Sequence, residues 1–158
     1  MDIRIGQGID IHQFQEGRRC VLGGVEIPAA RGLLGHSDAD ALTHAVMDAV
    51  LGALGRRDIG TLFPDSDAKY KDADSIQLLQ KVWSIAREEG WHLVNADVTL
   101  LAQVPKVSPY VAQMQERLST VFGCDSNRIT IKATTTERLG FIGREEGVLA
   151  SAVVLLQR

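Results

Sequence analysis

Cysteine is nearly absent: Cys20 and Cys124 are the only two in 158 residues, far apart and outside any C-x-x-C spacing. This excludes a disulfide framework and a cysteine zinc cage, and it suits a reducing compartment. Basic charge is also short, with 17 Lys and Arg against 20 Asp and Glu for a net charge of −3. The pairs Arg18-Arg19 and Arg56-Arg57 are too brief to track a phosphate backbone, so nucleic acid is not expected as a partner. Long apolar runs are missing. The longest stretch free of charged and strongly polar groups, near Val148 to Leu156, is about half a membrane span. The start, Met1-Asp2-Ile3-Arg4, lacks the apolar block of a signal peptide. The expectation is a cytoplasmic protein with no membrane partner. Internal repeats, low-complexity tracts, Pro/Ser-rich linkers and the glycine loops of the common nucleotide folds are absent too.

What is present is ordinary globular material, 45% hydrophobic and 23% charged. The length suits one domain over residues 1–158. A chain of this size buries roughly 70% of its unfolded surface, so it needs no structural metal to fold.

Ile3 to Phe14 has a strand-like rhythm of isoleucines, loosened by Gly6 and Gly8, with Ile11 expected in the core. Cys20 to Leu22, Gly23-Gly24 and Val25 to Ile27 read as a tight hairpin, closed by Pro28. Ser37-Asp38-Ala39-Asp40 has the form of an N-cap with an acid three residues on, so a helix is expected from Ser37 to Gly55. A polar loop follows from Asp58 to Asp74, then a helix over Ser75 to Glu89 stopped by Gly90. A strand (His92 to Gln103), a helix (Ser108 to Phe122) and strands at Ile129 to Ala133 and Gly147 to Leu156 complete the chain. The order implies an α+β sandwich, with helices on one face of a mixed or antiparallel sheet.

Asp10-Ile11-His12 puts a carboxylate and an imidazole on one face of a strand. His44 lies one helical turn from both Asp40 and Asp48. One of those acids is expected to hold a metal-binding imidazole by hydrogen bond. Two imidazoles and a carboxylate suit zinc, with a fourth position left for substrate. The competing reading of His44 is a hydrogen-bonded core histidine. His92 has no partner at useful spacing and reads as structural.

Gly35-His36-Ser37-Asp38, at the expected helix entrance, offers unsatisfied amides to phosphate oxygens. Ser37 is equally an N-cap. Thr134-Thr135-Thr136-Glu137 follows a strand; its hydroxyls suit phosphate and its carboxylate a hard cation such as magnesium, although an ordinary strand end explains it as well. Phe141 and Arg144 close a two-glycine segment, and the Arg144 fork suits phosphate. Pro105-Lys106 makes a short loop with one cation.

Five segments in order resemble the 2-C-methyl-D-erythritol 2,4-cyclodiphosphate synthase family of the non-mevalonate isoprenoid pathway. They are Arg4 to His12, Gly32 to Asp40, Gly60 to Asp67, Ala102 to Lys106, and Lys132 to Gly147. The resemblance covers nearly the whole chain. It implies a phosphorus-oxygen lyase that cyclises a cytidine diphosphate ester, the substrate's 2-phosphate attacking its own β-phosphorus with loss of CMP. It implies zinc on Asp10, His12 and His44, and magnesium or manganese held with the help of Glu137. His36 and Thr135 match positions that stabilise the transition state. Ser37 accompanies His36, and Asp58, Ile59, Gly60, Phe63, Pro64, Asp65, Ser66 and Asp67 match the surroundings of the sugar-like portion. Ala102, Gln103, Val104, Pro105 and Lys106, with Ala133, Thr134 and Thr135, match the cytidine pocket, and Val107, Ser108 and Thr136 are implied to bind substrate beside it.

A homotrimer with active sites between subunits is implied, as is a central cavity for isoprenoid diphosphates near Ile9, Phe141 and Arg144. Two departures stand out. Gln7 replaces a frequent His on the alternate face of the strand. Glu145 replaces a usual Gly and is expected to pair with Arg144. Two other functions fit parts of the sequence: a metal-dependent phosphohydrolase, and a non-catalytic trimeric module for isoprenoid diphosphates.

Overall fold

In the computed structural model, which describes residues 1–64 and 66–158, the chain begins with β1 (Ile3–Gln15), β2 (Cys20–Leu22), β3 (Val25–Ile27) and β4 (Gly32–Leu33). Helices α1 (Ala41–Ala53), α2 (Ile59–Leu62) and α3 (Ser75–Glu88) follow, and then β5 (His92–Leu101), α4 (Val111–Phe122), β6 (Ile129–Thr134), α5 (Gly140–Gly143) and β7 (Gly147–Gln157). Five strands form one sheet in the order β4-β1-β7-β5-β6, while β2 and β3 form a separate hairpin. Only β5 and β6 run parallel, with α4 as their crossover, so the sheet is mixed. α1 packs on β1 and β7, α4 packs on β6, and α3 bridges the two helices. This is the expected α+β arrangement, with helices on one face.

The helix-facing row of the sheet is small at one edge and bulky elsewhere. Gly6 and Gly8 pair with Val154 and Ala152 of β7, and Ala152 pairs in turn with Val98 of β5. A Cβ at Gly6 would overlap the Ala49 carbonyl, and one at Gly8 would overlap the Ala45 carbonyl. The helix backbone therefore lies where side chains normally stand. Ala45, Ala49 and Ala53 keep its own surface equally low on that side. Eleven of the thirteen α1 residues are buried, and each fully buried Leu, Val or Met among them contributes roughly 1.5–3 kcal/mol.

This contact corrects the expected facing of β1. Ile11 points away from the helices and is 50% exposed, as are Ile3, Ile5 and Ile9 to similar or greater degree. The isoleucine stripe belongs to the outer face, because the inner face has no room for it.

The first helix also begins later than expected. Its N-cap is Asp40, whose carboxylate accepts from the Thr43 amide at 3.0 Å and the Thr43 hydroxyl at 2.7 Å. The same carboxylate accepts from the Gly23 and Gly24 amides at 2.8 and 2.7 Å. Those glycines have φ of 58° and 70°, the left-handed pair of a two-residue hairpin turn. Full burial and the nearby Asp38 push the Asp40 carboxyl up, and the surrounding donors pull the other way. The entrance of α1 is thus filled by the chain's own carboxylate, not left open to phosphate, and Ser37 sits in the loop before it.

The segment expected as loop from Asp58 to Asp74 holds α2 and a 3-10 turn, Ala68–Tyr70. Asp58 caps α2 by accepting from the Thr61 amide, and Asp48 of α1 accepts from the Ile59 amide at 2.8 Å. Two carboxylates thereby order four residues that have no buried side chain of their own. Among the described residues no helix is long and apolar enough to cross a membrane.

Gly8→Ala tests the close contact. Forcing a methyl against the Ala45 carbonyl should cost about 3 kcal/mol in a urea unfolding titration. An unchanged unfolding midpoint would mean that β1 and α1 are not locked as described.

Candidate metal centre and phosphate cleft

β1 carries Asp10 and His12 side by side on its helix-facing row, and α1 lies close enough for His44 to reach both. Asp10 Oδ2 stands 2.9 Å from His12 Nε2 and 3.1 Å from His44 Nδ1, and the two ring nitrogens are 3.2 Å apart. Tetrahedral zinc with ligands at its usual bond lengths spaces them by roughly 3.3 Å, so the three atoms fit one ion with little movement. The remaining nitrogen of each ring is held from behind. His12 Nδ1 lies 2.6 Å from the Leu34 carbonyl, to which it donates. His44 Nε2 lies 2.9 Å from Ser75 Oγ and 3.1 Å from Ser37 Oγ. With a cation in place of the protons shared with Asp10, both ring protons would point outward, and His12 Nε2, His44 Nδ1 and Asp10 Oδ2 would turn three lone pairs on one point. The residues fit a divalent metal.

Burial works against ionising Asp10, but the hydrogen bonds and charges of His12 and His44 outweigh it and hold its carboxyl down to about 2. Burial likewise opposes a charged His12, yet Asp10 and the Leu34 carbonyl outweigh that and raise the ring above its usual value. The expected acidic partner for His44 was Asp40 or Asp48. Both are committed elsewhere, Asp40 to the hairpin and Asp48 to α2, and serine hydroxyls serve the ring.

The triad opens on a cleft of about 220 Å³ lined by Gly35, His36, Ser37, Ile59, Gly60, Phe63, Tyr70 and Leu78 besides the three ligands. Phe63 and Tyr70 meet edge to face at 5.2 Å. His36 Nε2 lies 3.1 Å from the Asp67 carbonyl, to which it donates, and the His36 carbonyl accepts from the Asp72 amide at 2.8 Å. Residues 67–72 therefore fold back on the His36 loop. Asp65, expected near the sugar, lies outside the described residues. Pro64 and Ser66 flank it and are exposed.

Arg18 braces the same loop. Its guanidinium donates to the carbonyls of Leu33, Gly35 and Ser37 at 3.1, 3.2 and 2.7 Å and pairs with Asp72 at 3.1 Å. Five donors in a rigid fork suit one side chain to several carbonyls. Nothing local in the sequence marks this residue, because its partners lie up to 54 positions away.

None of residues 102–108 or 133–137 lines that cleft. They gather at the carboxyl ends of β5 and β6, where the Ala102 amide donates to the Thr134 carbonyl at 3.0 Å. Gln103 Oε1 accepts from the Arg138 amide at 3.2 Å, and the Thr135 hydroxyl donates to Glu137 at 3.1 Å. Ala133, Thr134, Thr135 and Glu137 are exposed, Thr136 is half-buried, and Val107 is buried between exposed Lys106 and Ser108 in sequence. Phe141 and Arg144 form a third group around a broad depression shared with Ile11 and Arg31. Arg144 pairs with Glu146 at 2.7 Å, not with Glu145, which faces Arg31 at 3.7 Å. Glu145 has φ of 60°, a backbone that glycine adopts without strain.

The YgbB family matches residues 3–157. A relative from Geobacillus thermodenitrificans named 2-C-methyl-D-erythritol 2,4-cyclodiphosphate synthase is 59% identical over 155 residues, 98% of this chain and 97% of the relative. A Bacillus pumilus protein of the same name is 54% identical over 99% of both chains. Among solved structures, the bifunctional IspDF of Campylobacter jejuni superposes with a TM-score of 0.94 at 45% identity, with 98% of this chain covered. This chain spans 42% of that longer one. A CDP-bound 2C-methyl-D-erythritol-2,4-cyclodiphosphate synthase gives 0.89 at 38% identity, covering 98% of this chain and all of the other. The fold, the triad and these likenesses agree: the chain belongs to the YgbB family.

Proposed function

We propose that this chain converts 4-diphosphocytidyl-2-C-methyl-D-erythritol 2-phosphate to 2-C-methyl-D-erythritol 2,4-cyclodiphosphate and CMP, in the cytoplasm, with residues 1–158 as one catalytic domain. The observation that carries the reading is the convergence of three ligand atoms from Asp10, His12 and His44 at the mouth of a phosphate-sized cleft. A 2-phosphate oxygen bonds to the β-phosphorus, the bond from that phosphorus to the oxygen bridging it to the α-phosphorus breaks, and CMP departs with that oxygen. No protein nucleophile is required, because the attacking group belongs to the substrate.

Zinc on the triad, and magnesium or manganese held with Glu137, would supply the positive charge that lets one phosphate approach another. The chain's own groups supply position. His36 and Ser37 border the cleft, and Ile59, Gly60 and Phe63 form the wall against which the tetrol portion rests, with Asp58, Pro64, Ser66 and Asp67 around it. Ala102 to Ser108 and Ala133 to Thr136 form the cytidine pocket, read largely through backbone groups. Thr135 offers its hydroxyl to the transferring phosphate.

Within one chain the triad cleft and the 102–108 and 133–137 cluster are separate, which supports a site completed by a second copy. The outer sheet face supports a homotrimer: Ile5 is 71% exposed, Ile9 53%, Ile11 50% and Val153 37%. An apolar strand face of this kind, broken only by Gln7 on β1, needs a cover. Phe141 and Arg144, beside Ile11, then border a central cavity for isoprenoid diphosphates, with Glu146 competing for Arg144.

Product identity tests the reaction. Phosphorus NMR of the purified protein with substrate should show the cyclic diphosphate and CMP; inorganic phosphate as the phosphorus product would indicate a phosphohydrolase instead. His44→Ala should lose zinc and lower turnover by roughly 10²–10³ or more while the oligomer persists. Near-normal turnover without bound metal would contradict the triad's role. Glu137→Gln should raise the magnesium or manganese concentration for half-maximal rate by roughly tenfold, and an unchanged ion dependence would remove Glu137 from that role. Ile9→Glu should convert a trimer to single chains in analytical ultracentrifugation and abolish turnover with zinc retained. A trimer that survives this change would place the interface elsewhere.

A further inference from the structure

Ser75 lies outside every segment expected to touch substrate or metal, and the Asp38 side chain has no role of its own in the Gly35 to Asp38 segment, yet Ser75 stands directly behind His44 and Asp38 behind Ser75. Ser75 is the first residue of α3 and is fully buried. Its hydroxyl donates to Asp38 Oδ1, and its amide, one of the unpaired donors of a helix start, donates to Asp38 Oδ2 at 3.0 Å. Both oxygens of one carboxylate thus grip one serine. With its proton committed to Asp38, Ser75 Oγ has only lone pairs to offer, and one meets His44 Nε2 at 2.9 Å. Ser37 Oγ lies slightly farther from the same nitrogen, at 3.1 Å, and also receives the Ala39 amide at 3.3 Å.

We infer that Asp38 and Ser75 are positioning residues that fix His44 as the Nε2–H tautomer, leaving Nδ1 as a metal-ready lone pair. The direction is set at the Asp38 end: a carboxylate accepts only, so the hydroxyl must donate to it, and the imidazole Nε2 must donate to the hydroxyl. Nε2 then keeps its proton, and Nδ1, 3.1 Å from Asp10 Oδ2 and 3.2 Å from His12 Nε2, is the nitrogen left to meet a cation. The Ser37 hydroxyl proton is left uncommitted and free to turn toward a ligand in the cleft. No local pattern marks the pair, because Ser75 is 31 residues from His44 and Asp38 is 37 from Ser75.

This inference rests on the triad being the metal site, and the test separates the two claims. Zinc affinity of the whole protein is measured by competition with a chromophoric chelator, and the tautomer of His44 by imidazole nitrogen NMR of the metal-free protein. Wild type should bind one zinc per chain and show the Nε2–H form. Ser75→Ala should weaken zinc binding by roughly 10–100-fold and shift the ring toward the other tautomer. Ser75→Thr, which keeps the hydroxyl, should restore both. Asp38→Asn, whose amide no longer enforces the hydroxyl's direction, should weaken binding in the same sense if Ser75→Ala does not fold. Affinity within about threefold of wild type and an unchanged tautomer in a folded Ser75 or Asp38 variant would overturn the positioning role. No zinc bound by wild type would overturn the triad itself.

Discussion

The approach of α1 to β1 governs everything near the metal centre. Two glycines on the strand and three alanines on the helix remove the side chains that normally keep such elements apart, and the helix backbone occupies the vacated volume. Only at that separation does His44 come within 3.2 Å of both Asp10 and His12. The same constraint pushes the isoleucines of β1 to the opposite face, so a sheet face too apolar to be left to water is a direct consequence of bringing three ligands together. Site geometry and the exposed apolar sheet face share one cause.

Around this contact the molecule uses carboxylates as joints. Asp40 ties the β2–β3 turn to α1, Asp48 ties α1 to α2, and Asp38 ties the His36 loop to α3. Each accepts from at least one backbone amide that would otherwise lack a partner, which is costly when buried. Arg18 does the converse for carbonyls, collecting three of them with one guanidinium. The loop bearing His36 and Ser37 is therefore held from three directions without large buried side chains of its own. That leaves its inner surface free for a polar ligand.

Much of this was legible in the sequence. Strand and helix positions follow from periodicity and glycine stops, and the hairpin from Gly23-Gly24. The Asp10-x-His12 pair with His44 suggested a metal from spacing alone. What failed were statements about facing and distance. An alternating strand announces two unlike faces but not which one meets the helices, and Ile11 was misplaced because apolar residues ordinarily point inward. The glycines carried the correct answer: a face without side chains is the face a backbone approaches. Ser37 resembled a cap, but Asp40 makes the bonds, since a helix begins where its orphan amides find their acceptor. Arg18 and Ser75 left no local trace, because both act through contacts that exist only after the loops have closed.

The central claim is that the three lone pairs converge on a cation which in turn faces the diphosphate of a cytidine nucleotide. A crystal grown with zinc and soaked with CDP, measured at the zinc absorption edge, tests it most directly. The account predicts one anomalous peak per chain bonded to Asp10 Oδ2, His12 Nε2 and His44 Nδ1, with a phosphate oxygen of CDP in the remaining position and its base against residues 102–108 and 133–136 of a neighbouring copy. A zinc peak elsewhere, or CDP phosphates turned away from the triad, would contradict it.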